Sequence, residues 1–190
     1  MNASTLLRIG ARANRLANFR LHAAMAPLSH AELHAPRSSF FPTLMATLNH
    51  ILGVDLYYVG ALHGEQGLAE AWDRFEPAAE LSVLAERQRV SDERLIAWCD
   101  AQSDAGFVQT IAMPREPGRV QHDAAAHVLQ HLLMHQTHHR GQVHTMLTGT
   151  AVAPPQLDEF LMPSEPQLRT AEMAALGWDE TRVYGLGGGV

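Results

Sequence analysis

The segment HVLQHLLMHQTHHRGQ, residues 127–142, decides how this chain is read, because it sets five histidines among leucine, valine and methionine at helical spacing. Take about 100° per residue with His127 at zero. On that wheel His138 falls near 20°, His131 near 40°, His135 near 80° and His139 near 120°. Val128 and Met146 fall near about 100°, Leu132 near 140° and Val143 near 160°. His135 and His139 therefore share the apolar, inward arc, whereas His127, His131 and His138 drift toward the polar edge. The pattern predicts one long amphipathic helix over residues 123–147, with Asp123 as its N-cap and Gly149 just past its end.

Working outward, helical periodicity dominates. A first helix is predicted over 4–24, with Ser4 as cap and Leu6, Ile9, Ala13 and Leu16 as its buried stripe; Pro27 and Ser29 mark the following turn. A second is predicted over 41–63, with Leu44, Leu48, Ile51, Leu52, Val59 and Leu62 on one broad face and Gly64 and Gly67 ending it. A third fits 79–101, where Leu81, Leu84, Leu95 and Trp98 form the stripe and the charged midsection 86–94 should face solvent. The period then changes. Residues 107–113 read as a short strand, 114–118 as a turn and 119–122 as the returning partner. Pro154 and Pro155 open a loop, 157–162 reads as a short docking helix or turn, and 168–176 as a last helix. The glycine-rich end, 185–190, is expected to be disordered. The fold class is all-α: a four-helix bundle with a short β-hairpin, occupying 1–162, and a C-terminal extension, 163–190.

Composition excludes several chemistries. The chain of 190 residues carries twelve His, one Cys and fourteen basic residues, every one an Arg. Without lysine there is no Schiff base and no Walker-type phosphate loop. A single Cys excludes a disulfide framework, a CxxC pair and thiolate-rich zinc sites. Metal binding is left to imidazole and carboxylate. A net charge of −6 argues against a general nucleic-acid binder, and no stretch reads as a membrane span. Residues 1–31 are Arg-rich and free of acid, as mitochondrial transit peptides are, but their helical stripe runs straight into the bundle. A cytoplasmic location is the expectation.

A His pair at i and i+4 holds its Cβ atoms about 6 Å apart on one helix face. That suits two imidazoles converging on one ion at metal–nitrogen distances of about 2.0–2.1 Å. A third ligand must come from a facing helix, and His50 is the one His in the middle of a predicted helix elsewhere. Asp55, nearer the centre of that helix's apolar face, rivals it as a ligand or as an acceptor behind the ligands, or is simply a buried, paired carboxylate. Spacing alone leaves metal binding and chance equally open. His22, His30, His34 and His63 read as surface or capping residues, and Cys99, next to Trp98 on the stripe, as a buried inert thiol.

Residues 135–142, preceded by His127 through Leu133, closely resemble the HxxxHRGQ signature of the DinB-like (DinB/YfiT) helical-bundle family. Leu48-Asn49-His50-Ile51-Leu52, with Asp55 and Tyr57, resembles that family's second-helix motif, and Pro154-Pro155-Gln156-Leu157-Asp158 the segment after its last bundle helix. The resemblance covers about residues 4–162 and places the motifs in order. It implies an up-down-down-up bundle, commonly a homodimer, in which His50, His135 and His139 bind one divalent metal, zinc or nickel with iron as a further option. His138 stands where relatives often have Tyr and is not expected to ligate. Arg140 and Gln142 match the motif and are expected to orient or bridge to the pocket.

Relatives of this bundle include thiol-dependent enzymes, so the resemblance implies a metal-dependent transferase or hydrolase-like enzyme. Its substrate would be a small thiol or another small molecule. The alternative is a non-catalytic, stress-associated metal-binding dimer. No residue is assigned a catalytic role. A hemerythrin-like di-iron carrier fits less well, because His and carboxylate ligands are not evident on all four helices.

Overall fold

The computed structural model describes residues 2–116 and 118–184. In chain order its elements are α1 (Ala3–Met25), α2 (His30–His34), α3 (Leu44–Leu62), α4 (Leu68–Asp73), α5 (Leu81–Ala101), β1 (Thr110–Glu116), β2 (Arg119–Ala124), α6 (Ala125–Leu147), α7 (Thr170–Leu176) and α8 (Glu180–Tyr184). Short 3₁₀ turns cover Asp104–Val108 and Pro166–Arg169.

Two apolar clusters fix the direction of the four long helices. One joins Leu7 and Ala11 of α1 and Val128, Leu129 and Leu132 of α6 to the far ends of α3 (Val59, Leu62) and α5 (Leu95, Trp98, Cys99). The other joins the opposite ends: Leu21 and Met25, Leu44 and Leu48, Leu84, and Val143 with Leu147. So α1 and α6 run one way and α3 and α5 the other, the up-down-down-up order. Each of α1 and α3 packs on both α5 and α6, which leaves α1 and α3 diagonal. Because α3 and α5 are parallel, residues 63–80 must travel the length of the bundle. Gly64 and Gly67, both at φ +71°, turn the chain into α4 on the way.

Between the apolar ends lies a buried polar waist. Asn14 and Asn18 of α1, Asp55 of α3, Gln88 and Asp92 of α5, and Gln136 and Arg140 of α6 are all buried there. Arg140 donates to Asn14 Oδ1, to Asn18 Oδ1 at 3.0 Å and to Gln136 Oε1 at 3.0 Å. The amides turn their NH₂ groups the other way. Asn14 and Asn18 donate to Asp92, Gln136 donates to Asp55, and Gln88 donates to both carboxylates. Asn14, Asn18 and Gln136 are thus each aligned from one cation toward an anion, while the Gln88 oxygen is left without a partner among the described residues; the network ties all four long helices into one register.

Several expectations are corrected. The midsection of α5 is solvent-facing only in part: α5 is wedged between α1 and α3, so Gln88, Ser91 and Asp92 are buried while Glu86 and Glu93 stay outside. Leu6 is 58% exposed and Leu7 takes its place. Asn2, not Ser4, caps α1, its side chain accepting the Thr5 amide. Phe41 precedes the second long helix instead of opening it, because the Thr43 hydroxyl accepts the Ala46 amide and α3 starts three residues later, at Leu44. The hairpin is shifted. Residues 104–108 form a 3₁₀ turn, and β1 pairs antiparallel with β2 from Thr110↔Ala124 to Glu116↔Arg119, with a slip between Pro114 and Glu116. The ladder takes up Asp123, which pairs with Ile111, so Asp123 is no helix cap; Ala125 N instead donates to Gln109 O at 2.9 Å. In the predicted turn 114–118, residue 117 lies outside the described residues, as does the glycine-rich end 185–190.

Residues 157–162 are a turn with no helix, and α2, α4 and α8 were not foreseen. Past residue 156 the chain packs along the outer side of α1, where Phe160, Met173, Val183 and Tyr184 meet Ile9, Ala13 and Leu16. Arg20 of α1 pins it by pairing with Glu159 and with Glu172 at 2.6 Å. No described helix is long and apolar enough to cross a membrane.

Candidate metal centre

Facing turns of α3 and α6 bring His50, His135 and His139 together. One ring nitrogen from each lies within 4.8 Å of the others. His50 Nε2 and His135 Nε2 stand 3.0 Å apart. The His139 ring centroid is 4.6 Å from that of His50 and 4.4 Å from that of His135. His139 is buried; His50 and His135 are half-buried. His139 Nδ1 is 2.7 Å from Gln142 Oε1, which can only accept, so Nδ1 carries the proton and Nε2 keeps its lone pair. His135 Nδ1 is buried with no protein partner among the described residues, so no neighbour at that nitrogen sets its tautomer as Gln142 does for His139.

The electrostatics favour neutral rings. Burial, followed by the neighbouring imidazoles of His139 and His50, pushes the His135 pKa down to about 3. Burial lowers His50 and His139 as well, each also held down by a nearby imidazole. At neutral pH all three present lone pairs and no charge, the state a metal ion requires.

Two cavities open beside the triad. One, of about 630 Å³, is lined by His50, Gly53, Trp72 and Phe75. The other, of about 820 Å³, is lined by His131 and His135 together with Tyr57, Tyr58, Trp72 and Arg115. Phe41 stacks on His50 at 4.3 Å between centroids and lies 5.6 Å from His139, which covers the triad from one side.

The other residues singled out from the sequence fall in different places. Gln142 reaches His139 as described. His138 is exposed, its ring edge-on to His139. Asp55 sits in the waist, accepting from Gln88 and Gln136; burial and the charge of Asp92 raise its pKa well above the usual carboxylate range. Arg140 is tied to α1 through Asn14 and Asn18. His30, His34 and His63 lie toward the surface, but His22 is half-buried near Arg15 and Arg140, and its pKa is pushed down to about 4. Cys99 is fully buried and its pKa is raised to about 12 by desolvation. Sequence reasoning missed Phe41, Gln136 and Arg115 as neighbours of the site. Gln136 sits between two named histidines at a waist position on the inward arc, and that placement was the one available signal.

No curated protein matches this chain in sequence. The sequence model of the DinB family matches residues 1–170. With its motifs in order on an up-down-down-up bundle and its three histidines brought to one point, the chain belongs to the DinB family.

Proposed function

We propose that the protein binds one divalent metal ion through His50, His135 and His139, and that it acts as a metal-dependent enzyme on a small thiol or electrophile. The observation that carries the proposal is the convergence of three neutral imidazoles from two helices. The residues fit an ion. Two nitrogens at about 2.0–2.1 Å from one centre are about 2.8–3.4 Å apart at ligand angles of about 90–109°, and the His50–His135 pair stands at 3.0 Å. An all-imidazole donor set suits zinc or nickel, with iron(II) as a further option.

Within this reading each residue has a physical task. His50, His135 and His139 hold the ion, and Gln142 keeps the His139 ring in the tautomer that leaves Nε2 free. Phe41 keeps water from one face of His50. The cavity beside His135 admits the substrate. A bound divalent ion with an open position lowers the pKa of a thiol or water presented to it. Since Cys99 is buried, the thiol arrives with the substrate.

Thermal melts with and without Zn²⁺ or Ni²⁺ test the site. Metal at a hundred times its Kd stabilises the fold by about 2.7 kcal/mol if it binds only the native state. No shift for the wild type, or an equal shift for His135→Ala, refutes the site. Turnover of electrophiles with glutathione and other thiols tests the activity. Metal binding without turnover would favour the non-catalytic, stress-associated module instead. We further propose a homodimer in the cytoplasm. The exposed apolar side chains Leu6, Met134 and Leu161 around the α1–α6 groove support the association, and sedimentation measures it.

A further inference from the structure

We infer that the cavity beside His135 takes a small molecule bearing a single carboxylate, and that Arg115 is the group that seats it. The inference deepens the proposed function by naming the substrate class, and rests on that reading only for which end of the molecule reacts.

Arg115 comes from β1, and α3 fixes the hairpin it stands on. The Tyr57 hydroxyl donates to the Pro114 carbonyl, the residue before Arg115. The guanidinium carbon then lies 5.1 Å from the Tyr57 ring centroid and 5.2 Å from that of Tyr58, whose two rings meet edge-on. Arg115 Nη2 donates to the Tyr58 hydroxyl at 2.8 Å, and Nε donates to Gln121 Oε1 at 3.0 Å. Gln121 is itself oriented by donating its amide to Asp123 at 2.5 Å. Two aromatic faces and two hydrogen bonds thus hold the fork in place before any ligand arrives.

Among the described residues that held cation has no carboxylate partner, and its Nη1 makes no hydrogen bond. Arg20, Arg94 and Arg169, by contrast, each meet an acid directly. The wall then runs without interruption from Arg115 to the triad. The His131 ring lies 5.2 Å from Tyr58 and 6.3 Å from His135, and all four residues line the same cavity of about 820 Å³. That volume is within the range of about 300–1,000 Å³ typical of small-molecule sites. Trp72, Leu68 and the tyrosines provide apolar surface for the body of the ligand.

A planar, pre-oriented guanidinium with free N–H groups matches a carboxylate, and charge-assisted bonds of this kind are about twice as strong as neutral ones. The acids of the wall limit the charge. Arg119 faces Glu116 at 3.7 Å, and Glu70 and Asp73 stand exposed at the rim. Being in solvent they are screened over about 8 Å, yet they disfavour a second negative charge. The ligand is therefore a monoanion.

The test compares 4-phenylbutyrate with 4-phenylbutanol, equal in length and differing in the charged end, by calorimetric titration of metal-free protein. The acid is expected to bind the wild type about tenfold more tightly or better. Arg115→Gln should bring the ratio to about one, Arg115→Lys should give an intermediate ratio, and Arg119→Gln should leave it unchanged. Equal affinities for acid and alcohol, no binding of the acid, or a preference that survives in Arg115→Gln would each overturn the inference. Zinc melts on the same preparations separate the two readings. A zinc shift without acid preference removes this inference alone, and acid preference without any zinc or nickel shift removes the metal reading alone.

Discussion

Replacing Asp92 with asparagine should make the difference in stability between variant and wild type depend on pH, in a direction set by the buried waist. Asp92 is 1% exposed, and burial raises its pKa from 3.8 to about 6 even though Gln88 and Asn18 donate to it and Arg15 and Arg140 attract it. A carboxyl whose pKa is higher in the folded than in the unfolded chain binds more protons when folded. Its contribution is therefore fully present below pH 3.8 and is lost as pH rises through about 6. At about 1.4 kcal/mol per pH unit, ionising Asp92 costs the fold about 3 kcal/mol between pH 4 and pH 7.5. Asparagine cannot ionise. Whatever offset it introduces by facing the amide donors of Asn14, Asn18 and Gln88, it should gain about 3 kcal/mol on the wild type across that range. Removing the Asp92 charge also eases ionisation of Asp55, which Asp92 opposes, and that adds to the change in the same direction. Urea titrations of both proteins at half-unit pH steps measure the difference, and taking the difference cancels groups such as His22. A difference that stays flat with pH would refute the reasoning, since the surrounding donors would then compensate the burial completely. One that falls with rising pH would mean the waist is a site built to hold a charge.

Other expectations follow from the same geometry. Gln142→Ala leaves His139 Nδ1 without its acceptor and should weaken zinc or nickel affinity about 10–100-fold, measured by competition with a chelator, while the metal-free melting point stays the same. Leu84→Ala, at a fully buried position in the second apolar cluster, should cost about 2–5 kcal/mol in a urea titration. Cys99, fully buried with its pKa raised to about 12, should resist a thiol-specific aromatic disulfide reagent in the native protein and react once urea unfolds it. Rapid native modification would show that the end of α5 opens locally.

The two kinds of residue in this chain were not equally legible. Positions whose role depends on one helix were read directly. The arc that turns His135 and His139 inward and leaves His127, His131 and His138 outside agrees with their observed exposure, because 3.6-residue periodicity is a local property. His50 was also read correctly as meeting His135 and His139 across two helices, but several other positions whose role depends on two or more helices were misread. The midsection of α5 looks charged and therefore solvated, yet Asp92 is buried because amides from α1 happen to face it across the bundle. Asp123 is a good helix cap by residue type, and it lost that role to a strand partner twelve residues away. Phe41 appeared to open a helix and instead covers the triad, because Thr43 starts α3 after it.

Taken by itself, the sequence determined that the chain is a helical bundle, that its chemistry excludes lysine and paired thiolates, and that two histidines one turn apart share an inward helix face. These follow from composition and from a repeat that a helix enforces on its own. Only the tertiary structure decided that His50 meets that pair, that Asp55 belongs to the waist and not to the triad, and that Arg115 stands over two tyrosines with no acid partner among the described residues. Each of these is a meeting of groups far apart in the chain, and which groups meet is set by how the clusters at the two ends of the bundle lock the helices in register.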